Sequence, residues 1–284
     1  MSSEPGKLFV VATPIGNLKD ITERAIEVLS GVDCIAAEDT RHSARLLEHY
    51  GITSPMSALH EHNEQAQAPR LVERMQLGES VALISDAGTP LVSDPGLNLV
   101  RLARQAGISI IPIPGASAAI AAMSVSGLPS DRFCFEGFLP AKASARRKRL
   151  TEVVEESRTL IFYEAPHRIL DCLADMVVCF GGERPAVMAR ELTKRFETVH
   201  GDNLAALQEW VASDPNQQKG EFVILVHGAE PQSGHELDEA ARHTVETLLQ
   251  ELPLKQAVSL AVKITGLKKN AIYQYALSLQ AKAD

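Results

Sequence analysis

SDAGTPLVSDPG (residues 85–96) joins an apolar run, Val81–Ile84, to a helical pattern over Leu97–Gln105. The apolar run predicts a short buried strand, and the segment after it contains two acids, two glycines and two prolines. Small residues let a ligand approach the backbone closely, and carboxylates accept hydrogen bonds from its donors. Ser93 or Asp94, followed by Pro95, favours a helix start. A solvent-exposed turn is the alternative, but similar polar turns follow other strands, so we interpret residues 85–96 as a ligand-approach loop.

The bulk composition is that of a globular protein with more than one domain. The chain has 284 residues, of which 45% are hydrophobic and 23% are charged, and this length favours two domains or two plus an appendage. The net charge of −8 argues against non-specific coating of nucleic acid, and aromatic residues, at 5%, are too few for a base-stacking platform. Scattered cysteines and the lack of a signal-peptide pattern or a bilayer-length apolar run predict reduced thiols and a cytoplasmic protein.

Apolar runs alternate with amphipathic segments over residues 7–228, which predicts α/β layers with largely parallel sheets. Glycine and proline interrupt the pattern at 124–131 and again at 229–234. We therefore predict two α/β domains, 1–125 and 126–230, and a helical appendage, 235–284. The predicted strands are 8–12, 34–37, 81–84, 109–113, 133–137, 160–163, 186–189 and 222–226. The predicted helices include 21–29, 41–49, 68–77, 118–125, 143–155, 167–178 and 204–211.

The C-terminal appendage carries helical patterns only. After a first amphipathic helix at 237–250, two more helices, 253–263 and 268–279, are joined by a glycine turn. This outline fits a helix-turn-helix in which Lys268 and Lys269 open the second helix and contact nucleic acid. A helical hairpin that serves only packing or dimerisation fits the pattern equally well.

A basic run lies in the second predicted domain. Lys142, Arg146, Arg147, Lys148 and Arg149 fall within eight residues, with no acid among them. Such a run is often only a solvated helix face. In an acidic chain it is equally compatible with a local RNA-binding surface.

Several catalytic motifs are absent from the turns between the predicted elements. The turn after the first strand, 13–18, has one glycine instead of the G-x-G-x-x-G of dinucleotide folds, and no P-loop occurs. The segment around Ser117 lacks the last glycine of a nucleophile elbow, so we interpret it as another ligand-approach loop. The tetrapeptide at 60–63, His-Glu-His-Asn, does not have metal-ligand spacing, and we predict no metal site.

The end of the second predicted strand combines acids with a guanidinium. Glu38, Asp39, Thr40 and Arg41 follow one another there. This group can orient a hydroxyl substrate or bind a phosphate through the arginine. Asp39 or Thr40 can also cap the helix that follows, and the two roles are compatible.

Five segments taken in order resemble the tetrapyrrole methylase-like, class III S-adenosylmethionine-dependent methyltransferases. They are 13–18, 37–41, 85–96, 114–117 and 162–168. The resemblance implies two α/β domains with S-adenosylmethionine in the cleft between them, and a homodimer. The cofactor-binding residues that it implies are Pro14, Asp86, Ala87, Gly88, Thr89, Ser117 and Ala118 from the first domain, and Phe162, Tyr163 and Ala189 from the second.

Within this superfamily the chain is most similar to the branch that methylates the 2′-hydroxyl of a cytidine in the decoding centre of 16S rRNA. The resemblance therefore implies 16S rRNA, within the small ribosomal subunit, as partner. In-line methyl transfer needs positioning, a desolvated site and an acceptor for the hydroxyl proton. The candidate proton acceptors are Glu38, Asp39, Glu61 and His60, which we leave unranked, and we expect Asp39 and Arg41 to orient the ribose-phosphate.

Two other functions fit parts of the chain. One is a methyltransferase that acts on a small precorrin-type tetrapyrrole, and the other is a non-catalytic RNA- or protein-binding module that keeps an old cofactor cleft. The helical appendage and the basic run favour an RNA substrate, because a small ring needs neither. The polar residues that several loops would place around the cofactor cleft favour an enzyme over a non-catalytic binding module.

Overall fold

The protein is described by a computed structural model that covers residues 5–230, 237, 239–267 and 269–280 of the chain. It divides into two compact units, Met1–Gly228 and Ala229–Asp284. The four cysteines are free thiols. None of the helices in the described ranges is long and apolar enough to cross a membrane.

The first sheet of the larger unit is fully parallel, with strand order β3-β2-β4-β1-β5. The central strands are buried on both faces, as continuous apolar runs predict. Two hydrophobic clusters result, one under α3 and α4 and one under α1 and α2. The strands are β1 (Lys7–Val11), β2 (Cys34–Ala37), β3 (Met56–Ala58), β4 (Val81–Ile84) and β5 (Ser109–Ile113), and the helices are α1 (Glu23–Gly31), α2 (Thr40–His49), α3 (Glu64–Gln76), α4 (Leu97–Gln105) and α5 (Ala118–Ser126).

The second sheet is mixed, with strand order β6-β7-β10-β8-β9. Its strands are β6 (Phe133–Phe138), β7 (Thr159–Glu164), β8 (Pro185–Arg190), β9 (Thr198–Asn203) and β10 (Phe222–Val226), and its helices are α6 (Ala143–Glu152), α7 (Ile169–Phe180) and α8 (Leu204–Ser213). Only β6 and β7 pair in parallel, whereas β10 is antiparallel to both of its neighbours. The prediction of largely parallel sheets is thus right for the first sheet and wrong for the second. The segment 191–197, which joins β8 to β9, is too short for the crossover that parallel neighbours need.

Two strands were missed by the sequence analysis, and both have a plain physical reason. β3 has only three residues, none of them fully buried. β9 reads Thr-Val-His-Gly-Asp-Asn, a polar edge strand with no apolar alternation.

The helix α5 connects the two sheets. It follows the last strand of the first sheet but packs on the second, where Ala119, Ala122 and Met123 share a cluster with Val187 and Val223. Alanine side chains let the helix backbone come close to the strands. The domain boundaries proposed from the sequence stay a prediction.

The smaller unit contains three helices, α9 (Glu239–Glu251), α10 (Leu254–Thr265) and α11 (Lys269–Gln280). They pack around a small apolar cluster that includes Val245, Val258 and Ile272. The predicted glycine turn is confirmed, since Gly266 ends α10 with φ of +70° and its N–H bonds to the Val262 carbonyl at 3.0 Å. Lys269 is exposed at the start of α11, whereas Lys268, which the sequence analysis also assigned to RNA binding, lies outside the described residues.

Candidate active site

A cleft lies between the two sheets in the larger unit and encloses about 330 Å³. In open α/β sheets, ligands bind outside the carboxyl ends of the strands, and the first sheet contributes the segments that follow β1, β2, β4 and β5. The second sheet contributes the carboxyl ends of β6, β7 and β8 and the start of β10. Because β10 is antiparallel to its neighbours, its first residues reach the same edge as their last ones.

The loop after β4 forms the central part of the cleft wall that the first sheet contributes. Gly88 and Thr13 exchange two backbone hydrogen bonds, of 2.9 and 3.1 Å. Gly88 has φ of +85°, and a Cβ there would lie 3.4 Å from Ile15 Cγ2. Thr89 Oγ1 donates to the Ala116 carbonyl at 3.0 Å. These contacts join the loops after β1, β4 and β5 into one surface that brings backbone close to the cleft.

Carboxylates form one side of the cleft. The Asp86 carboxylate accepts a hydrogen bond from the Asp39 amide at 3.1 Å, and Glu38 accepts from the Asp86 amide at 3.4 Å. Burial raises the pKa of Glu38, and the Asp86 and Asp39 carboxylates act in the same direction. Burial, with Glu38 and Asp86 nearby, raises the pKa of Asp94 to about 6. The concentration of negative charge favours a cationic ligand.

The position of Asp94 differs from the sequence prediction. The helix α4 is preceded by Gly96, with φ of +122° and no side-chain cap, so Asp94 does not cap it. A Cβ at Gly96 would lie 2.6 Å from Leu83 Cδ2, which explains the glycine at this position. Asp94 instead lines the cleft.

Aromatic side chains form the opposite wall. The Tyr163 ring contacts Phe135 and Phe138 edge-on, with centroid distances of 4.9 and 5.5 Å. The Tyr163 hydroxyl accepts a hydrogen bond from the Ala119 amide at 3.1 Å, near the start of α5. Burial raises the pKa of Tyr163. Phe138 lines the cleft but remains 56% exposed, so it offers a free aromatic face.

Two of the residues expected to bind a cofactor do not line the cleft. Side chains alternate along a strand, so Tyr163 faces the cleft while Phe162 is fully buried on the opposite face, 6.4 Å from Phe180 between ring centroids. Pro14 is buried beside the cleft residue Ile15. The residues that do line the cleft as expected are Asp86, Ala87, Gly88, Thr89, Ser117, Ala118, Tyr163 and Ala189.

Comparison with known proteins identifies the family. Tetrapyrrole (Corrin/Porphyrin) Methylases match residues 7–208, and the RsmI C-terminal HTH domain matches residues 235–280. A Pseudomonas aeruginosa protein named ribosomal RNA small subunit methyltransferase I is 60% identical over 98% of this chain and 99% of its own length. An Escherichia coli O157:H7 protein of the same name is 55% identical over 97% of this chain and 96% of its own length. The chain belongs to the ribosomal RNA small subunit methyltransferase I family.

Solved structures of more distant proteins share the fold of this family. The methyltransferase CobJ has a TM-score of 0.59 at 21% identity, over 79% of this chain and 95% of its own. Diphthine synthase has a TM-score of 0.59 at 18% identity, over 78% of this chain and 90% of its own. Both likenesses show the tetrapyrrole methylase fold alone.

Beside the cleft, Asp39 and Arg41 form a pair in this member of the ribosomal RNA small subunit methyltransferase I family. The Arg41 side chain and backbone amide hold the pKa of Asp39 well below its usual range, with contacts of 2.9 to 3.1 Å. Asp39 caps α2, as the sequence predicted, and the Arg41 side chain is 90% exposed. Glu38 lines the cleft, whereas the other candidate catalytic residues, Asp39, Arg41, His60 and Glu61, do not.

The basic run on α6 is only partly at the surface. Arg146 is 3% exposed and donates to the Asp175 carboxylate at 2.6 Å, so its charge is used inside the protein. We therefore correct the expectation that Arg146 contacts RNA. Arg147 shares Asp175 at 2.6 Å, and Arg149 is paired with Glu136. The exposed residues, here called the α6 basic surface, are Lys142, Arg147, Lys148 and Arg149.

Proposed function

We propose that this chain transfers a methyl group from S-adenosylmethionine to the 2′-hydroxyl of a cytidine in the decoding centre of 16S rRNA. The observation that carries the proposal is an acidic cleft at the strand ends, with Gly88 in its wall, in a methyltransferase of this family. The names of its relatives give small-subunit rRNA as their substrate.

The cleft fits the cofactor in shape and charge. S-adenosylmethionine carries positive charge on its sulfonium and ammonium groups, and Glu38 and Asp86 bring carboxylates to the same cavity. The close backbone approach at Gly88 suits a ligand that lies flat against the loop. When bound, S-adenosylmethionine supplies an electrophilic methyl group.

The residues of the chain would act mainly by position. We propose that the exposed Arg41, oriented by Asp39, binds the ribose-phosphate next to the reacting hydroxyl. The aromatic wall of Phe138 and Tyr163 would exclude water and hold the target nucleoside beside the carboxylates. A carboxylate in the cleft would take the hydroxyl proton.

The rRNA backbone would contact basic side chains outside the cleft. Lys142 and Lys148 of the α6 basic surface are exposed, as is Lys269 of the smaller unit. Such residues bind phosphates without reading sequence. They favour RNA over a tetrapyrrole as the acceptor. A homodimer and a cytoplasmic location stay predictions.

The test is methyl transfer from labelled S-adenosylmethionine to alternative acceptors. The purified full chain is incubated with small ribosomal subunits that lack this methyl group, and separately with a precorrin-type tetrapyrrole. The proposal expects label in the rRNA that is recovered as 2′-O-methylcytidine after nuclease digestion. Label in the tetrapyrrole alone, in a base, or in neither acceptor would overturn it.

A further inference from the structure

We propose that Asp94 is the group that takes the proton from the attacking 2′-hydroxyl, an assignment that rests on the proposed function. As the hydroxyl oxygen bonds to the methyl carbon, the sulfur–methyl bond breaks and its electron pair stays on sulfur. The hydroxyl proton passes to the Asp94 carboxylate and then to water. Charge and atoms balance without any further reactant.

The local backbone holds Asp94 in the cleft. Leu91 and Ser93 have φ of +72° and +68°, although neither is a glycine. Such conformations are strained for non-glycine residues and persist where the surrounding structure holds them in place. They turn the chain so that Asp94 lines the cavity with Phe138 and Tyr163.

The carboxylates next to Asp94 already bind backbone amides. Asp86 accepts from the Asp39 amide at 3.1 Å, and Glu38 accepts from the Asp86 amide at 3.4 Å. Both therefore hold the loops after β2 and β4 together. A carboxylate in this role loses a structural hydrogen bond if it turns towards a substrate.

The carboxylates on the far side of the cleft are paired with cations. Glu164 has a fully buried side chain and contacts Arg168 Nε at 3.0 Å. Glu221 contacts Lys194 Nζ at 2.9 Å. By contrast, the neighbour that favours the charged form of Asp94 is the uncharged Ser85 hydroxyl. Among the acids that line the described part of the cleft, Asp94 is the one left available to accept a proton.

The ionisation of Asp94 suits a base at neutral pH. Burial is the main cause that raises its pKa to about 6, and Glu38 and Asp86 add to the effect. The groups that act on its charge also include the Ser85 hydroxyl and, across the cleft, Tyr163. A carboxylate with this pKa is ionised at pH 7 and is more basic than an ordinary aspartate.

The direct test compares Asp94→Asn with wild type in single-turnover methylation of small subunits at saturating S-adenosylmethionine. Asp131→Asn, an exposed aspartate outside the cleft, is the matched control. We expect Asp94→Asn to lower the rate about 100-fold or more. We also expect the wild-type rate to rise with pH and level off above pH 6, and this inflection to be lost in the variant. An unchanged rate or an unchanged pH profile would overturn the proposal.

Calorimetric titration with S-adenosylmethionine separates proton transfer from cofactor binding. A base role predicts that Asp94→Asn keeps affinity within a few-fold and that Asp94→Glu recovers part of the rate. If the loss is wholly in affinity and the rate returns at saturation, the assignment is wrong. Thermal unfolding of both variants shows that they are folded. If wild type itself methylates no rRNA, the proposed function is wrong. If wild type and Asp94→Asn are equally active, the proposed function stands and only the role of Asp94 is wrong.

Discussion

The Asn17 amide donates a hydrogen bond to Thr193 Oγ1 at 3.1 Å, between the two walls of the cleft. Asn17 belongs to the turn after β1, and Thr193 to the segment after β8, where it has φ of +65°. Next to this bond, the Lys194 side chain lies so close to Gly16 that a Cβ there would collide with it. The segments that follow β1 and β8, one from each sheet, are therefore held together beside the cleft by a hydrogen bond and a close contact.

Removing the Thr193 hydroxyl tests whether its hydrogen bond with the Asn17 amide supports cofactor binding. Thr193→Ala leaves the Asn17 amide without its partner, and a typical hydrogen bond contributes about 0.5–1.5 kcal/mol. We predict that calorimetry finds affinity for S-adenosylmethionine about 3- to 10-fold weaker. Thr193→Ser keeps the hydroxyl and should bind as wild type does. If wild type and both variants bound S-adenosylmethionine equally well, the hydrogen bond between Asn17 and Thr193 would not affect the site.

A Cβ at Gly88 should weaken cofactor binding. Gly88→Ala forces a non-glycine residue into φ of +85° and places a methyl group 3.4 Å from Ile15. Gly107→Ala is the control, because it has φ of +72° with nothing near its Cβ, at the end of α4. We predict that both variants lose about 1–2 kcal/mol of stability, and that only Gly88→Ala binds S-adenosylmethionine at least tenfold more weakly. Similar affinities for the two variants would count against a cofactor wall at Gly88.

Asp94 should make the stability of the fold pH-dependent. Its pKa is raised from 3.8 to about 6 in the folded state, so the folded protein holds this proton more tightly than the unfolded chain. The raised pKa of Asp94 therefore stabilises the fold fully below pH 4, where the carboxyl is protonated, and this stabilisation is lost as the pH rises through 6. We predict that Asp94→Asn matches wild type at pH 4 and has the larger free energy of unfolding at pH 7–8. Urea unfolding across this range measures it, with Asp131→Asn expected to follow wild type.

Arg41 should act on the RNA and not on the cofactor. Its side chain is 90% exposed and lies outside the cleft. We predict that Arg41→Ala lowers kcat/KM for small subunits about tenfold or more while calorimetric affinity for S-adenosylmethionine stays unchanged. Arg45→Ala, another exposed arginine on α2, is the control. If Arg41→Ala methylated small subunits as well as wild type does, Arg41 would have no role in binding the RNA.

The α6 basic surface should contribute to RNA affinity through phosphates. We predict that the double variant Lys142→Ala, Lys148→Ala binds small subunits more weakly at low salt. The slope of log K against log salt should fall by about 0.7–0.9 for each phosphate that the variant no longer neutralises. Lys7→Ala removes an exposed lysine at the amino end of β1 and should change neither quantity. Filter binding between 50 and 200 mM salt, roughly the range over which such interactions weaken, measures both quantities.

The sequence was sufficient to predict the first wall of the cleft. Apolar runs that end in polar, glycine-containing turns identify parallel strands, and the carboxyl ends of parallel strands share one edge. The residue pattern predicted ligand-approach loops at 85–96 and around Ser117, and the family resemblance implied Asp86, Gly88 and Ser117 as cofactor-binding residues within them. Strict alternation along β7 would also have separated Phe162 from Tyr163, so that error could have been avoided.

Other features depend on interactions between distant parts of the chain. Arg146 looks like its basic neighbours in sequence, and only the packing of α6 on α7, which brings Asp175 to it, removes it from the surface. In the sequence, Asp94 resembles the start of a helix. Its position in the cleft depends on left-handed backbone at Leu91 and Ser93, and a sequence does not indicate this conformation when the residues are not glycine. The antiparallel insertion of β10 is likewise a property of the whole sheet.

The central claim is methyl transfer to a cytidine ribose, and mass spectrometry of the modified rRNA tests it most directly. Small subunits from cells without this enzyme are treated with the full chain and S-adenosylmethionine, and the rRNA is digested and sequenced by fragment mass. We predict one additional methyl group on the ribose of a decoding-centre cytidine after treatment with wild type, and none in subunits that are incubated without the enzyme. A methyl group on a base, on another nucleotide or nowhere in the rRNA would contradict the account.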